Sequence, residues 1–212
     1  MPTGVAIRDV REQLFDAAER VLLRDGPNAL TSRAVTTEAG CAKGVLHRHF
    51  ADFDAFLAEL VLDRVRRLDG RAEALREAAG TGTVVGNLAA ELAELFGSVA
   101  VAMVGLVTSR DGLRARLRRT TPTGVPLLTE ATAMFASYLA AERDLGRLPA
   151  GADVDVLAPM LVGTGHLLFA DRHGARPGLG EVRRVVAGIV PVEGRGQSGP
   201  LPCLERRRES SS

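Results

Sequence analysis

Residues 36–50 read TTEAGCAKGVLHRHF: helix formers run into Gly40, and a second short helical pattern begins almost at once. That second pattern, Lys43 to Phe50, holds Lys43, His47, Arg48 and His49 and no acid, in a chain whose formal net charge is only +1. At about 100° per residue, Leu46 and Phe50 lie on one side of it. Gly44, His47 and Arg48 then point the other way, with Lys43 and Val45 at the margins. Two apolar residues suffice to seat a short helix on its neighbours. The opposite flank, free of acids, suits a polyanion.

The neighbourhood fits that reading. Upstream, residues 9–25 place Val10, Leu14, Ala17, Ala18, Val21 and Leu22 at helical spacing, and Gly26-Pro27-Asn28 supplies stop chemistry. Thr31 is a fitting N-cap for a second helix that Gly40 closes. Two short helices joined by a glycine-containing turn and braced by a third form the helix-turn-helix plan, whose second helix enters a major groove. On that plan Gly44 permits close approach to a duplex. His47, Arg48 and His49 can donate to phosphates or base edges, Val45 can meet a thymine methyl, and the amide end of the helix favours phosphate.

At this point the residues resemble a family. LTSRAVTTEAGCAKGVLHRHFADFDAFLAEL, residues 30–60, is similar to the DNA-binding segment of TetR-type transcriptional regulators. Thr31 and Arg33 open the second helix, Glu38-Ala39-Gly40 closes it, Lys43-Gly44 opens the recognition helix, and Leu46, His49 and Phe50 follow; Leu14, Ala17, Ala18 and Gly26 fit upstream. The match spans about residues 9–62. The resemblance implies a homodimer with a four-helix interface near its C-terminus, double-stranded DNA as partner, and a ligand pocket coupled to the spacing of the two recognition helices. It assigns DNA contact to Thr31, Arg33, Lys43, Gly44, Val45, His47, Arg48 and His49. Three positions depart from the pattern: Ala42 stands where Ser is usual, His47 where Tyr is usual, and Phe53 where a phosphate-gripping Lys is usual.

Composition sets the wider frame. The 212 residues are 46% hydrophobic and 25% charged, rich in Ala and Leu and poor in strand-favouring aromatics, which implies an all-α chain. Lys43 is the single lysine among 27 basic residues. Cys41 and Cys203 are too far apart and too few for a disulfide framework or a metal site. No signal-peptide core interrupts the charged N-terminus and no apolar run approaches membrane-spanning length, so no membrane partner is expected and the cytoplasm is the expected compartment.

Beyond Asp52, read as the cap of a helix through Leu68, the pattern predicts a long apolar helix from Thr83 to about Val107. A basic helix, 110–119, follows it, its arginines read as a solvated face, with Ser109-Arg110-Asp111 as a cap. Three more helices are predicted near 127–145, 154–171 and 179–190. This divides the chain into a helix-turn-helix domain (1–52), a helical ligand-binding and dimerisation domain (53–190) and a disordered tail (191–212). Phe96, Met103, Met134, Tyr138, Met160 and His166 are candidates to line a pocket for a small, largely apolar molecule, alongside Phe135 and Phe169; most such residues are simply core. His166 and His173 lie seven apart without further ligands nearby, which favours a satisfied core or interface histidine over a metal site. No catalytic motif is found: G-x-S-x-G, P-loop, H-E-x-x-H and C-x-x-C are all missing, and neither a cofactor nor an enzymatic activity is expected. The expected function is a DNA-binding repressor responsive to a ligand. Its rivals are an adaptor module with a vestigial helix-turn-helix and a helical enzyme using the C-terminal core.

Overall fold

A computed structural model of the chain describes residues 4–170 and 175–191, and among them every regular element is helical. Helix α1 (Gly4–Asp25) stops at Gly26, whose φ of 84° is a conformation that glycine adopts without steric cost. A single 3-10 turn, Pro27–Ala29, leads to α2 (Ser32–Glu38). Thr31 caps α2 as expected, its hydroxyl accepting from the Ala34 N–H at 3.1 Å. At the far end the Cys41 N–H donates to the Thr36 carbonyl at 3.0 Å and the Gly40 N–H to that of Thr37 at 3.1 Å, with Gly40 at φ 65°. This Schellman pattern turns the chain sharply and satisfies carbonyls that the helix end would otherwise strand. Helix α3 (Gly44–His49) starts four residues after Gly40 and is only six residues long.

Asp52 caps α4 (Phe53–Glu77), its carboxylate accepting from the Ala55 N–H at 2.7 Å. The continuous helix expected from Thr83 to Val107 is two helices, α5 (Val84–Phe96) and α6 (Ala100–Ser109), bent by 55° at residues 97–99. The Ser98 hydroxyl donates to the Leu95 carbonyl at 2.6 Å and accepts from the Ala100 N–H at 3.4 Å. A side chain thus competes with the backbone ladder at a point where glycine already weakens the helix. The bend sends α6 toward the turn at Pro27–Ala29 while α5 packs on α9 and α10. Among the described residues no single helix is long and apolar enough to cross a membrane.

Helices α7 (Asp111–Leu117), α8 (Leu128–Asp144), α9 (Val154–Leu168) and α10 (Leu179–Ile189) follow among the described residues. Helix α4 packs along α8, and α8 along α9. At Gly165 of α9 an added Cβ would meet Leu92 and Phe96 of α5 at 2.9 Å, so glycine is what lets these two helices touch. Ser109 does not cap α7: its hydroxyl donates backward to the Leu106 carbonyl, and Arg110 stands at the N-cap with no side-chain bond that caps the helix. His173 and the tail from residue 192 lie outside the described residues.

A polar group is buried where α8 ends. Glu142 is fully buried, its carboxylate accepting from the Tyr138 hydroxyl at 2.5 Å and the Gly80 N–H at 3.3 Å, with Arg147 at 3.3 Å. Tyr138 in turn accepts from Asn87 at 2.9 Å. Burial first, and then the bond to Glu142, raises the phenol pKa well above its ordinary value. Each member has a partner, which is what makes such a group tolerable inside a bundle.

Candidate nucleic-acid interface

The seat of α3 is built from aliphatic side chains and four phenylalanines. Leu46 is fully buried and Phe50 nearly so, in the same hydrophobic core as Leu14, Ala17 and Ala18 of α1 and Val35 of α2. Phe50 meets Phe56 edge-on at 5.0 Å and Phe15 at 6.0 Å, and Phe53 stacks on Phe56 at 5.7 Å. The Arg11 guanidinium lies 4.5 Å over the Phe50 ring, donates to the His49 carbonyl at 3.4 Å and pairs with Glu59 of α4. One side chain therefore ends α3 and ties it to both neighbours. Gln13 does the same for α2, donating to the Ala39 carbonyl at 3.0 Å.

With Leu46 and Phe50 turned in, Thr31, Arg33, Lys43, Gly44, His47 and Arg48 are exposed, and Val45 and His49 are half-buried. Among the described residues no ion pair or hydrogen bond engages the side chains of Arg33, Lys43, His47 or Arg48. The acids that flank this segment in sequence are already committed: Arg116 pairs with Asp52, and Arg20 and Arg24 donate to Glu38 at 2.8 and 2.9 Å. Those bonds, Arg20's first, hold its carboxyl below the usual range. The exposed flank thus presents cations, imidazoles and a bare glycine backbone with no competing negative charge. Phe53, at the position where the family pattern expects a lysine, is half-buried in the phenylalanine cluster beneath Arg110, 5.5 Å from its ring.

The basic run at 110–119 is solvated only in part: Arg118 and Arg119 are exposed, while Arg110, Arg114 and Arg116 are half-buried and paired. Arg110 pairs with Asp54 at 3.0 Å, Arg116 with Asp52 and Arg114 with Asp111. Two of these partners sit at the N-terminus of α4, directly after the recognition helix. Sequence reasoning missed this clamp, because its members are 56 and 64 residues apart. Arg64 of α4 likewise grips Glu19 of α1 with two nitrogens, across 45 residues.

Of the six pocket candidates, only Met103 borders the cavity of about 310 Å³ that opens between α4, α5 and α6. Phe96, Met134 and Tyr138 are core, and Met160 is 47% exposed on the outer face of α9. His166 is half-buried beside Phe96, and its Nδ1 is shut from solvent without a hydrogen-bond partner, so the satisfied histidine expected there is not found. Desolvation lowers its pKa from the ordinary value.

An all-helical chain that seats a short helix on two others and leaves its cationic flank unpaired defines a helix-turn-helix protein of the DNA-binding kind. Residues 14–60 match the model for bacterial regulatory proteins of the tetR family. No curated protein matches the chain by sequence. Solved structures share the fold over most of its length. A TetR-family transcriptional regulator from Agrobacterium tumefaciens superposes with a TM-score of 0.67 at 15% identity, over 86% of this chain and 98% of that one. The transcriptional regulator FadR from Bacillus subtilis, solved with stearoyl-CoA, gives 0.61 at 19% identity over 84% and 97%. The multidrug binding protein EbrR, complexed with imidazole, gives 0.54 at 20% identity over 87% and 96%. At these identities the likeness establishes a TetR-type fold.

Proposed function

We propose that the chain is a ligand-responsive transcriptional repressor of the cytoplasm that binds a palindromic operator as a homodimer and is released by a small molecule. The observation that carries this reading is the unpaired cationic flank of α3. Lys43 and Arg48 are solvated and free, so contact with phosphate releases counterions without first breaking an ion pair. Arg33 and the Thr31 backbone at the start of α2 are available to a neighbouring phosphate, and His47, His49 and Val45 to base edges.

A dimer is supported by the outer face of α9. Val156, Pro159, Met160, Gly163 and Leu167 are all exposed there, with Leu167 at 75%, and no charged side chain interrupts the stripe from 156 to 167. A second copy is the natural cover for such a face, and two-fold symmetry places two recognition helices about 34–36 Å apart, in successive major grooves. The division of labour is residues 1–52 for DNA and 53–190 for ligand and dimer contacts. A ligand shifts this protein only by its differential affinity for the conformations with matched and mismatched helix spacing. FadR with its stearoyl-CoA and EbrR with its imidazole support a small-molecule ligand for a chain of this fold.

Selection of bound sites from random duplexes tests the DNA reading. A palindromic consensus is expected, and repetition with candidate metabolites should identify one that abolishes retention. Failure to enrich any sequence, with retention equal for all duplexes, contradicts the operator reading and favours an adaptor role.

A further inference from the structure

The cavity between α4, α5 and α6 differs from the small apolar pocket that the sequence implies. Leu68, Leu95 and Met103 give it an apolar floor, while Arg64, Arg67 and Arg71 line it from α4. Spacings of three and four put these arginines on one face of the helix. Glu94 is the lone acid among the lining residues, and its side chain is 72% exposed.

Two of the arginines are unusual. Arg71 uses Nε on Glu91 at 2.8 Å and Nη1 on Glu94 at 3.5 Å, yet its Nη2 is shut from solvent with no acceptor. Such a nitrogen is an unmet demand for a hydrogen-bond acceptor. Arg64 lines the same cavity and holds Glu19 of α1, a pair with side chains only 24% and 13% exposed. Leu127, also in the wall, has φ 74° and ψ −45°, a strained conformation for a branched residue, with its N–H held by the Glu130 carboxylate at 2.7 Å.

Building on the ligand-responsive reading above, we infer that this cavity takes a small organic carboxylate with an apolar body, whose head group binds Arg71 and draws Arg64 away from Glu19. The apolar body would lie on Leu68, Leu95 and Met103. A carboxylate accepts two parallel N–H bonds from a guanidinium, which a neutral amide or alcohol cannot match. Because one guanidinium serves both the cavity and α1, ligand and Glu19 compete for it, and occupancy loosens the tie between α4 and the helix that braces the DNA-facing pair. Charge removal at Glu19 should therefore help the ligand, an effect opposite in sign to simple loss of structure. By reciprocity, an anion that competes with Glu19 is bound less tightly when that tie is intact.

Calorimetric titration of the full chain with octanoate, octanamide and octylamine tests this. Octanoate should bind about tenfold or more tightly than octanamide, the worth of a charge-assisted bond, and octylamine should not bind. Arg71→Gln should cost octanoate about tenfold and leave octanamide unchanged. Glu19→Gln should tighten octanoate binding several-fold. If Arg71→Gln does not fold, Met103→Phe, which fills the cavity without altering a charge, takes its place and should abolish binding. Equal affinity for octanoate and octanamide, or no binding of octanoate, overturns the carboxylate assignment. Unchanged or weaker octanoate binding in Glu19→Gln overturns the competition. Operator binding without octanoate binding would count against this inference alone, whereas octanoate binding without operator binding would count against the regulator reading.

Discussion

Arginine means different things at the two ends of α4. Below its N-terminus, on α2 and α3, Arg33 and Arg48 join Lys43 in solvent with no acid engaged. Along α4 itself, Arg64, Arg67 and Arg71 are each held by acids: Glu19, Asp63, and the Glu91–Glu94 pair. Residue type is the same and partnership decides the role. A free surface cation is available to a polyanion at little desolvation cost, whereas a half-buried, paired one is architecture until a competing anion arrives. Desolvation raises the carboxyl pKa of both Glu19 and Glu91 in spite of their arginines. The Glu19 and Glu91 pairs therefore sit in surroundings where charge is expensive, which the lower cations do not.

The largest effect should come from the aromatic seat that supports the lower set. Phe56 touches Phe15, Phe50 and Phe53, and Phe56→Ala should cost about 3–5 kcal/mol in chemical denaturation and take duplex binding with it. A loss below about 1 kcal/mol would mean that α3 does not depend on this cluster. Next, Arg64→Ala should destabilise the fold by about 1–3 kcal/mol, since it strands Glu19, while Arg48→Ala should leave the melting temperature unchanged. Equal stability losses in the two variants would erase the difference between the two ends. Asp52→Ala removes both the α4 cap and the partner of Arg116, and about 1 kcal/mol is expected from the cap.

The smallest effect is a slope. His166 has a folded pKa below its unfolded one, so the unfolded chain takes up a proton that the folded chain resists. Stability should therefore decline as pH falls through the ordinary histidine range, from about 7 toward 5. In His166→Phe the decline measured by denaturation across that window should be shallower. An identical slope in both proteins would remove His166 as its source.

Local chemistry makes the lower half readable from the sequence. Thr31, Gly40 and Asp52 act within three or four residues of themselves, and a period of 3.6 is enough to place Leu46 and Phe50 inward. The pattern predicts one helix where α5 and α6 are two, because Ser98, the residue that breaks it, is tolerated in many helix interiors. Only its bonds to Leu95 and Ala100 reveal the stop. The arginine clamps are invisible for a different reason. Arg110 with Asp54, Arg116 with Asp52 and Arg64 with Glu19 join residues that only the fold brings together, so a basic run looks solvated. Met160 suits a pocket by residue type alone. Its position on the outer stripe of α9 depends on which face α8 and α5 cover, a property of the packing and not of the residue.

The proposed recognition of DNA rests most heavily on the free flank of α3, and the salt dependence of duplex binding addresses it directly. Wild type, Lys43→Ala and the paired-site control Arg67→Ala should be titrated from about 50 to 200 mM salt against a selected duplex. Lys43→Ala should bind more weakly and lower the slope of log affinity against log salt by about 0.9 for each phosphate that a protomer no longer neutralises. Arg67→Ala should be indistinguishable from wild type. A wild-type slope in Lys43→Ala, or a loss at Arg67 as large as at Lys43, would contradict the claim that the unpaired cations of this short helix are what meets DNA.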